Sequence, residues 1–217
     1  MKEKRIRKKP KLLFIAVFAV AFAYIEAAVV VYLRALLYPN GFSFPLNPIP
    51  PNILTFEICR EIATIVVLLS LSLLSKYRTH KRVAYFLFAF GVWDIFYYVW
   101  LKVLLNWPVS IFDWDVLFLI PLVWTSPVLA PVLVSITMII WSLMLLRVGK
   151  INKEFKISGT ESILLCLSPI LVLLSFFWNV PVILRMQAPV YYPWFLLIIA
   201  ETTAFYALFT LFKREER

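Results

Sequence analysis

The sequence predicts an all-α, polytopic membrane helix bundle with six transmembrane helices, both termini on the cytoplasmic side and a proline-kinked fourth helix. Composition is the first observation: 63% of the 217 residues are hydrophobic and only 16% are charged. In a soluble domain, about one half of the residues are apolar and about one quarter are charged. The second observation is that six apolar runs, each long enough for a spanning helix of about 20 residues, lie between clusters of basic residues. We therefore predict a single integral membrane domain over residues 1–217, located in the cell membrane.

The predicted spans follow the apolar runs in chain order. A basic segment, 1–11, precedes the first run, and a short basic end, 213–217, follows the last. Ala21-Phe22-Ala23 imitates the cleavage site of a signal peptide, but the apolar run continues to Leu37, so we expect a retained first helix. The spans are predicted at 12–38, 52–75, 83–106, 117–146, 161–184 and 192–212.

Basic residues predict the orientation of these spans. Of the 22 Lys and Arg residues, 18 fall into four clusters: Lys2–Lys11, Lys76–Arg82, Arg147–Lys156 and Lys213–Arg217. Cytoplasmic loops carry the Lys/Arg excess, so both termini and the loops around His80 and Asn152 are predicted to lie inside. Because the net charge of +10 sits in segments that flank membrane spans, it does not indicate binding to nucleic acid.

The fourth apolar run is longer than a membrane requires. Val116–Leu146 has 31 residues, about 46 Å of helix, whereas the hydrocarbon core is about 30 Å thick. It also contains Pro121, Pro127 and Pro131, and each proline inside a helix removes a backbone hydrogen bond and bends the axis. We therefore expect a kink, or a short outer half-helix before the main span.

Eight charged residues fall inside the predicted spans, and none of them lies deep in the inner half. Each would cost about 2.5–3.5 kcal/mol at the centre of the bilayer if it were unpaired. They are therefore expected to share one interior that opens toward the outside. The eight are Glu26, Arg34, Glu57, Arg60, Glu61, Asp94, Lys102 and Glu201.

Helical spacing assigns expected roles within this interior. Glu57, Arg60 and Glu61 share one helix face, so Arg60 is expected within about 4 Å of an acid. Three acids, Glu57, Glu61 and Asp94, are the predicted proton or cation acceptors. The predicted ligand-binding residues are Glu26, Arg60, Trp93, Tyr97, Tyr98, Lys102 and Glu201. Of these, the two basic residues would hold an anionic group or tune the acids, and the two tyrosines would donate hydrogen bonds. Aromatic faces beside carboxylates suit a cationic or unsaturated ligand.

Several kinds of chemistry find no support in the sequence. The single histidine, His80, lies in a basic loop, and no Glu-x-x-His or Cys-x-x-Cys pair occurs. Zinc, haem and di-iron sites are therefore not expected. We predict neither a metal nor a cofactor, and a magnesium, manganese or calcium site made only of carboxylates stays open.

Three functions remain open from the sequence. The leading one is an outward-opening polar pocket that binds or transports a small molecule, lipid or ion, with proton coupling. The second is an intramembrane enzyme that modifies a lipid or isoprenoid by acid–base chemistry with the same carboxylates. The third is a non-catalytic structural or assembly subunit of a membrane complex. Expected partners are the lipid bilayer and a small-molecule or lipid ligand, and a homo-oligomer or a membrane-complex partner stays open.

Overall fold

The computed structural model describes residues 11–73, 79–151 and 158–215, and within them the chain forms six long helices, one short helix and a β-hairpin. Residues 1–10 of the basic N-terminal segment and part of each of the two predicted cytoplasmic loops fall outside these ranges. The helices are α1 Lys11–Leu37, α2 Pro51–Leu73, α3 Thr79–Leu105, α4 Leu129–Ile151, α5 Gly159–Phe177, α6 Val180–Leu184 and α7 Trp194–Glu215. The strands are β1 Trp114–Phe118 and β2 Trp124–Pro127.

Five helical segments in the described ranges are long and apolar enough to cross a membrane. They are Leu12–Leu37, Thr79–Leu105, Leu129–Arg147, Gly159–Leu184 and Trp194–Arg214. This confirms the prediction of a mostly helical chain with several membrane-crossing segments. The second predicted span, 52–75, corresponds to α2, which is not among the five because Glu57, Arg60 and Glu61 all lie within it.

Helix α2 has a polar side and an apolar side, arranged in the reverse of a soluble helix. Its buried residues recur every three or four positions and are Glu61, Thr64, Leu68 and Ser72. Its exposed face carries large apolar side chains: Phe56, Ile62, Val66, Leu69 and Leu73. Polar residues that face the protein and apolar residues that face outward are the arrangement expected in a bilayer. At 23 residues α2 is about 34 Å long, so its length permits a span.

The prediction of a helix over 117–128 is wrong, because these residues belong to an antiparallel hairpin. Strand β1 pairs with β2, with Val116 opposite Thr125, and α4 begins only at Leu129. Pro121 lies between the strands and Pro127 ends β2. Pro131 lies in the first turn of α4, where a backbone N–H has no partner within the helix. The surplus length of the fourth run thus forms a hairpin, and no proline lies beyond the first turn of α4 to kink it.

The hairpin reaches into the bundle between the helices. Its backbone N–H at Leu119 donates to both carboxylate oxygens of Glu61 at 2.9 Å. Glu61 lies ten residues into α2, about 15 Å from the start of that helix. On β2, Thr125 and Ser126 have no exposed surface. Irregular backbone at membrane depth is tolerated only where the protein buries it or where it lines a cavity, and this hairpin does both.

Small residues let the helices approach closely. α3 packs most extensively against α1 and α4. On α1, Ala19, Ala23 and Ala27 recur every fourth residue with no exposed surface, which is the small-residue pattern of tightly packed membrane helices. On α3, Gly91 faces α4: a Cβ atom placed there would lie 2.6 Å from the carbonyl oxygen of Ser135 and 2.9 Å from Ile139 Cγ1.

We expect Gly91→Ala to lower the free energy of unfolding by about 1–3 kcal/mol, the usual cost of overpacking. Alanine normally stabilises a helix relative to glycine by about 0.5–1 kcal/mol. A decrease in the free energy of unfolding of Gly91→Ala would therefore indicate that the backbone of α4 lies too close for an added methyl group. Gly159→Ala is the control, because a Cβ there meets nothing within 4 Å. Unfolding in detergent measures both variants. Equal stability of the two would contradict this packing.

Candidate functional site

A cavity of about 320 Å³ lies among α1, α2, α3 and the hairpin, and we call it the polar pocket. Residues of the loop 38–49, together with Ile183 and Leu184 at the end of α6 and Met186 after it, complete its wall. Eight of the ten predicted site residues line it: Glu26, Glu57, Arg60, Glu61, Trp93, Asp94, Tyr97 and Tyr98. Arg34 and Asp115 line it as well. The structure therefore brings most of the intramembrane charges together, as the cost of leaving them in lipid requires.

Arg60 joins two helices at the pocket wall. Its guanidinium forms ion pairs with Glu26 of α1 and with Glu57, one turn earlier on α2. The Arg60 Nε–H also donates to Glu57 Oε2 at 2.9 Å, and the Thr64 hydroxyl donates to Glu26 Oε2 at 3.0 Å. The expected contact between Arg60 and an acid is confirmed. These polar contacts link α2 to α1.

A second ion pair holds the hairpin against α1. Arg34 Nη2 lies 3.0 Å from Asp115 Oδ1, and both side chains are more than nine-tenths buried. The Arg34 guanidinium also lies 3.7 Å from the centre of the Trp107 ring and 4.3 Å from that of Phe42. These faces provide a cation–π environment for the buried charge. Sequence reasoning missed Asp115, because residues before the fourth run were read as an outer loop.

Two of the predicted acceptors are bound to neutral donors. Glu61 is 3% exposed and receives the Leu119 N–H of the hairpin. Asp94 is half-buried and receives the Ser135 hydroxyl of α4 at 2.8 Å. Glu61 therefore holds the backbone of the hairpin in place, whereas Asp94 is held by a side chain of α4 at the pocket wall.

The polar pocket contains more acids than bases. Its lining includes five carboxylates, from Glu26, Glu57, Glu61, Asp94 and Asp115, and the guanidinium groups of Arg34 and Arg60. Within the described part of the chain, three negative charges therefore lack a balancing cation. An ionised carboxylate buried without one costs several kcal/mol. Each surplus acid must carry a proton or contact a bound cation.

Aromatic side chains surround these acids. The Trp93 and Tyr97 rings stack with centroids 6.3 Å apart, and Tyr97 meets Tyr98 edge-on at 5.1 Å. Trp93 is only 4% exposed, and its indole N–H has no hydrogen-bond partner among the described residues. The rings of Trp93, Tyr97 and Tyr98 thus give the pocket an aromatic wall beside its carboxylates.

The structure places two predicted site residues, Lys102 and Glu201, outside the polar pocket. The exposed ammonium of Lys102 donates to the carbonyl oxygens of Asn106 (3.4 Å) and Pro108 (2.9 Å). It thus stabilises the end of α3, where Asn106 adopts the left-handed conformation with φ 53°. Glu201 accepts a hydrogen bond from Thr137 at 2.5 Å and lines a separate cavity among α3, α4, α5 and α7. The expectation that all eight charges share one interior is therefore wrong for these two.

The side of the polar pocket that faces the rest of the bundle is apolar. Ala19, Ala23, Leu68 and Ala89 form a core cluster there with no exposed surface, together with Trp93 and Phe118. This packing lies between the charged groups of the pocket and the N-terminal halves of α1 and α3. In the described residues, the pocket is thus a chamber near one end of the bundle.

Comparison of the chain with protein-family models, with curated proteins and with solved structures gives no match. In the described ranges, no group of three or more His, Cys, Asp and Glu residues is placed to hold a metal ion. The five apolar helices are those of an integral membrane protein, and its distinguishing feature is the charged pocket built on the hairpin.

Proposed function

We propose that this protein binds a small organic cation, a molecule with a protonated amine, in the polar pocket in exchange for protons. The observation that carries this proposal is the surplus of three carboxylates around a cavity of about 320 Å³ with aromatic walls. A bound ammonium group would supply the missing positive charge. Because uncompensated buried charge is costly, the pocket must hold protons whenever the cation is absent.

Size and surface chemistry narrow the ligand further. Ligand pockets typically measure about 300–1,000 Å³, so this one favours a small molecule. Aromatic faces attract ammonium groups by cation–π interaction, worth about 2 kcal/mol or more when both partners are desolvated. The rings of Trp93, Tyr97 and Tyr98 at the pocket wall would provide such faces.

The acids of the pocket would then have different roles. Glu57 and Asp94 are partly exposed to the cavity and would contact the ammonium group. Arg60 fixes Glu57 and Glu26 by ion pairs. Glu61 and Asp115, which are 3% and 2% exposed, would support the hairpin that forms one wall.

The basic residues favour a pocket that opens on the outer face. It is lined by loop residues 38–49 and by the hairpin, which belong to the end of the bundle opposite the clusters at Lys76–Arg82 and Arg147–Lys156. Cytoplasmic loops carry such clusters. The ligand would therefore enter from outside the cell.

Binding of phenethylamine and of its neutral N-acetyl derivative tests the proposal. We expect purified protein in detergent to bind the amine and not the amide, with affinity that increases from pH 6 to pH 8 because cation binding releases protons. Glu57→Gln and Asp94→Asn should each lower the affinity at least tenfold, which is about 1.4 kcal/mol. Isothermal titration calorimetry in two buffers of different ionisation enthalpy measures affinity and proton release together.

Glu201→Gln is the matched control, because this carboxylate is also hydrogen-bonded within the bundle but lines the other cavity. It should leave the affinity for phenethylamine unchanged. Equal binding of the neutral amide, or no binding by a series of primary amines from propylamine to phenethylamine, would contradict the proposal.

A second candidate is an intramembrane enzyme that acts on a lipid by acid–base chemistry with Glu57 and Asp94. The apolar cluster of Ala19, Ala23, Leu68 and Ala89 favours it over transport, because these four residues pack beside the pocket with no exposed surface. Uptake of labelled amine into proteoliposomes distinguishes the two. Accumulation that depends on a proton gradient supports a transporter, whereas tight binding without uptake supports an enzyme or receptor.

A further inference from the structure

A second cavity of about 710 Å³ lies among α3, α4, α5 and α7, and we call it the apolar cavity. Its lining is almost entirely aliphatic and aromatic, with Phe86, Met138, Trp141 and Val172 as examples from three helices. Of its five polar residues, Thr137 donates a hydrogen bond to Glu201, Thr79 and His80 lie at one end, and Ser168 is buried. The surface offered to an occupant is therefore that of a hydrocarbon-binding site.

The dimensions of the apolar cavity match one leaflet of a membrane. Its lining residues extend over similar lengths of the four helices: Thr79–Phe90, Val134–Leu145, Leu165–Phe176 and Glu201–Leu211. Each range has eleven or twelve residues, and the ten or eleven rises between its ends correspond to about 15–17 Å. Half of a hydrocarbon core of about 30 Å is about 15 Å. The cavity therefore has the depth of a single lipid chain in one leaflet.

The two ends of the apolar cavity differ in character. One end is lined by Thr79 and His80, which begin α3 within the basic cluster Lys76–Arg82. The other is closed by Trp124 of the hairpin, whose ring stacks on Phe176 with centroids 6.0 Å apart. Basic residues at the cytoplasmic end of membrane helices attract anionic lipid headgroups. An occupant with an anionic head and one long apolar chain fits both ends.

We propose that the apolar cavity binds one acyl chain of an anionic phospholipid from the leaflet at the His80 end. The chain lies along α3 and α7 and ends against Trp124. The headgroup stays outside the cavity, at the basic end. Trp124 contacts Phe118, at 5.2 Å between ring centroids, and Phe118 lines the polar pocket, so the bound chain supports the hairpin from the side opposite to Glu61. This site is independent of the amine proposed for the polar pocket.

A cavity-filling substitution tests this site. Ala204 is 7% exposed and lines the apolar cavity, whereas Thr202, two residues earlier on α7, is exposed on the outer surface. We expect wild-type protein and Thr202→Phe to retain about one phosphatidylglycerol per chain after detergent washing. Ala204→Phe should retain at least tenfold less. Native mass spectrometry counts the bound lipid, and circular dichroism with gel filtration verifies that each variant is folded. Ala204→Leu replaces Ala204→Phe if the larger side chain prevents folding.

A second measurement needs no substitution that fills the cavity. Phosphatidylglycerol with brominated chains should quench the fluorescence of Trp124 and Trp141, and phosphatidylcholine with the same chains should quench it at least tenfold less effectively. Trp141→Phe should reduce the quenched fraction. Equal retention of lipid by a folded Ala204 variant, or equal quenching by both lipids, would overturn the proposal.

Discussion

Replacing Arg34 with methionine is expected to lower the free energy of unfolding by about 3–5 kcal/mol, the cost of breaking a buried ion pair from one side. The substitution leaves the Asp115 carboxylate, 2% exposed, without its cation. It also removes the charge that lies over the Trp107 and Phe42 rings. Denaturant or thermal unfolding in detergent measures the loss.

The double variant Arg34→Met/Asp115→Leu separates the cost of a stranded charge from the value of the pair. Replacing both partners of a buried pair by apolar residues is often neutral or stabilising, so the double variant should be more stable than Arg34→Met. Arg214→Met is the matched control. Arg214 lies 2.9 Å from Glu161, nearly the distance of the buried pair, but its side chain is 38% exposed. Glu161 is buried too, but it keeps the Ser158 backbone N–H as a donor, so this loss should be smaller than that of Arg34→Met. Similar losses for Arg34→Met and Arg214→Met would show that burial of Asp115 has no energetic consequence.

Local patterns in the sequence were sufficient for most of the helices. Long apolar runs predict helices wherever lipid is the solvent, because only internally bonded backbone is stable there. For that reason the first predicted span, 12–38, agrees closely with Lys11–Leu37. The contact of Arg60 with Glu57 follows in the same way from positions three residues apart on one helix.

The hairpin could not be predicted by the same reasoning. Strand β2 and the end of β1 were read as part of an apolar helix, and residues 114–116 of β1 as an outer loop, because apolar residues are common both in membrane helices and in buried strands. What stabilises the non-helical backbone is a carboxylate on a distant helix, Glu61, and a distant guanidinium, Arg34. The available signals were the surplus length of the fourth run and its prolines at 121 and 127. Both signals indicated that the helix would be interrupted, but neither indicated that the interruption is a β-hairpin.

Which of the predicted charged residues line the polar pocket also depends on how the helices pack. Lys102 and Asp94 lie on one face of α3 by spacing, but Lys102 falls at the last turn, where nearby carbonyl oxygens accept its hydrogen bonds. Glu201 has a suitable depth, yet α7 packs against α4 and α5 rather than α1. Depth and helical period therefore identify buried charges, and the packing order of the helices decides which cavity each one lines.

The same geometry separates Glu61 from the other two predicted acceptors, and a pair of substitutions shows the difference. Glu61→Leu is expected to lower the free energy of unfolding by about 2–3 kcal/mol, because hydrogen bonds to charged groups contribute about 1.5–3 kcal/mol. The Leu119 N–H would lose its acceptor about 15 Å inside the bundle. Hydrogen–deuterium exchange at Leu119 should accelerate together with the loss of stability, which locates the effect in the hairpin.

Glu61→Gln is the informative partner, because its amide oxygen can still accept the Leu119 N–H while the side chain can no longer bind a proton or a cation. If Glu61 supports the hairpin, Glu61→Gln should retain most of the wild-type stability and exchange protection. Its affinity for phenethylamine should also stay closer to wild type than that of Glu57→Gln. If Glu61 were an acceptor equal to Glu57, as its place in the sequence predicts, the two glutamine variants would lose binding to the same extent. The ratio of the affinities of Glu61→Gln and Glu57→Gln for phenethylamine therefore decides whether Glu61 supports the wall of the pocket or binds the ligand.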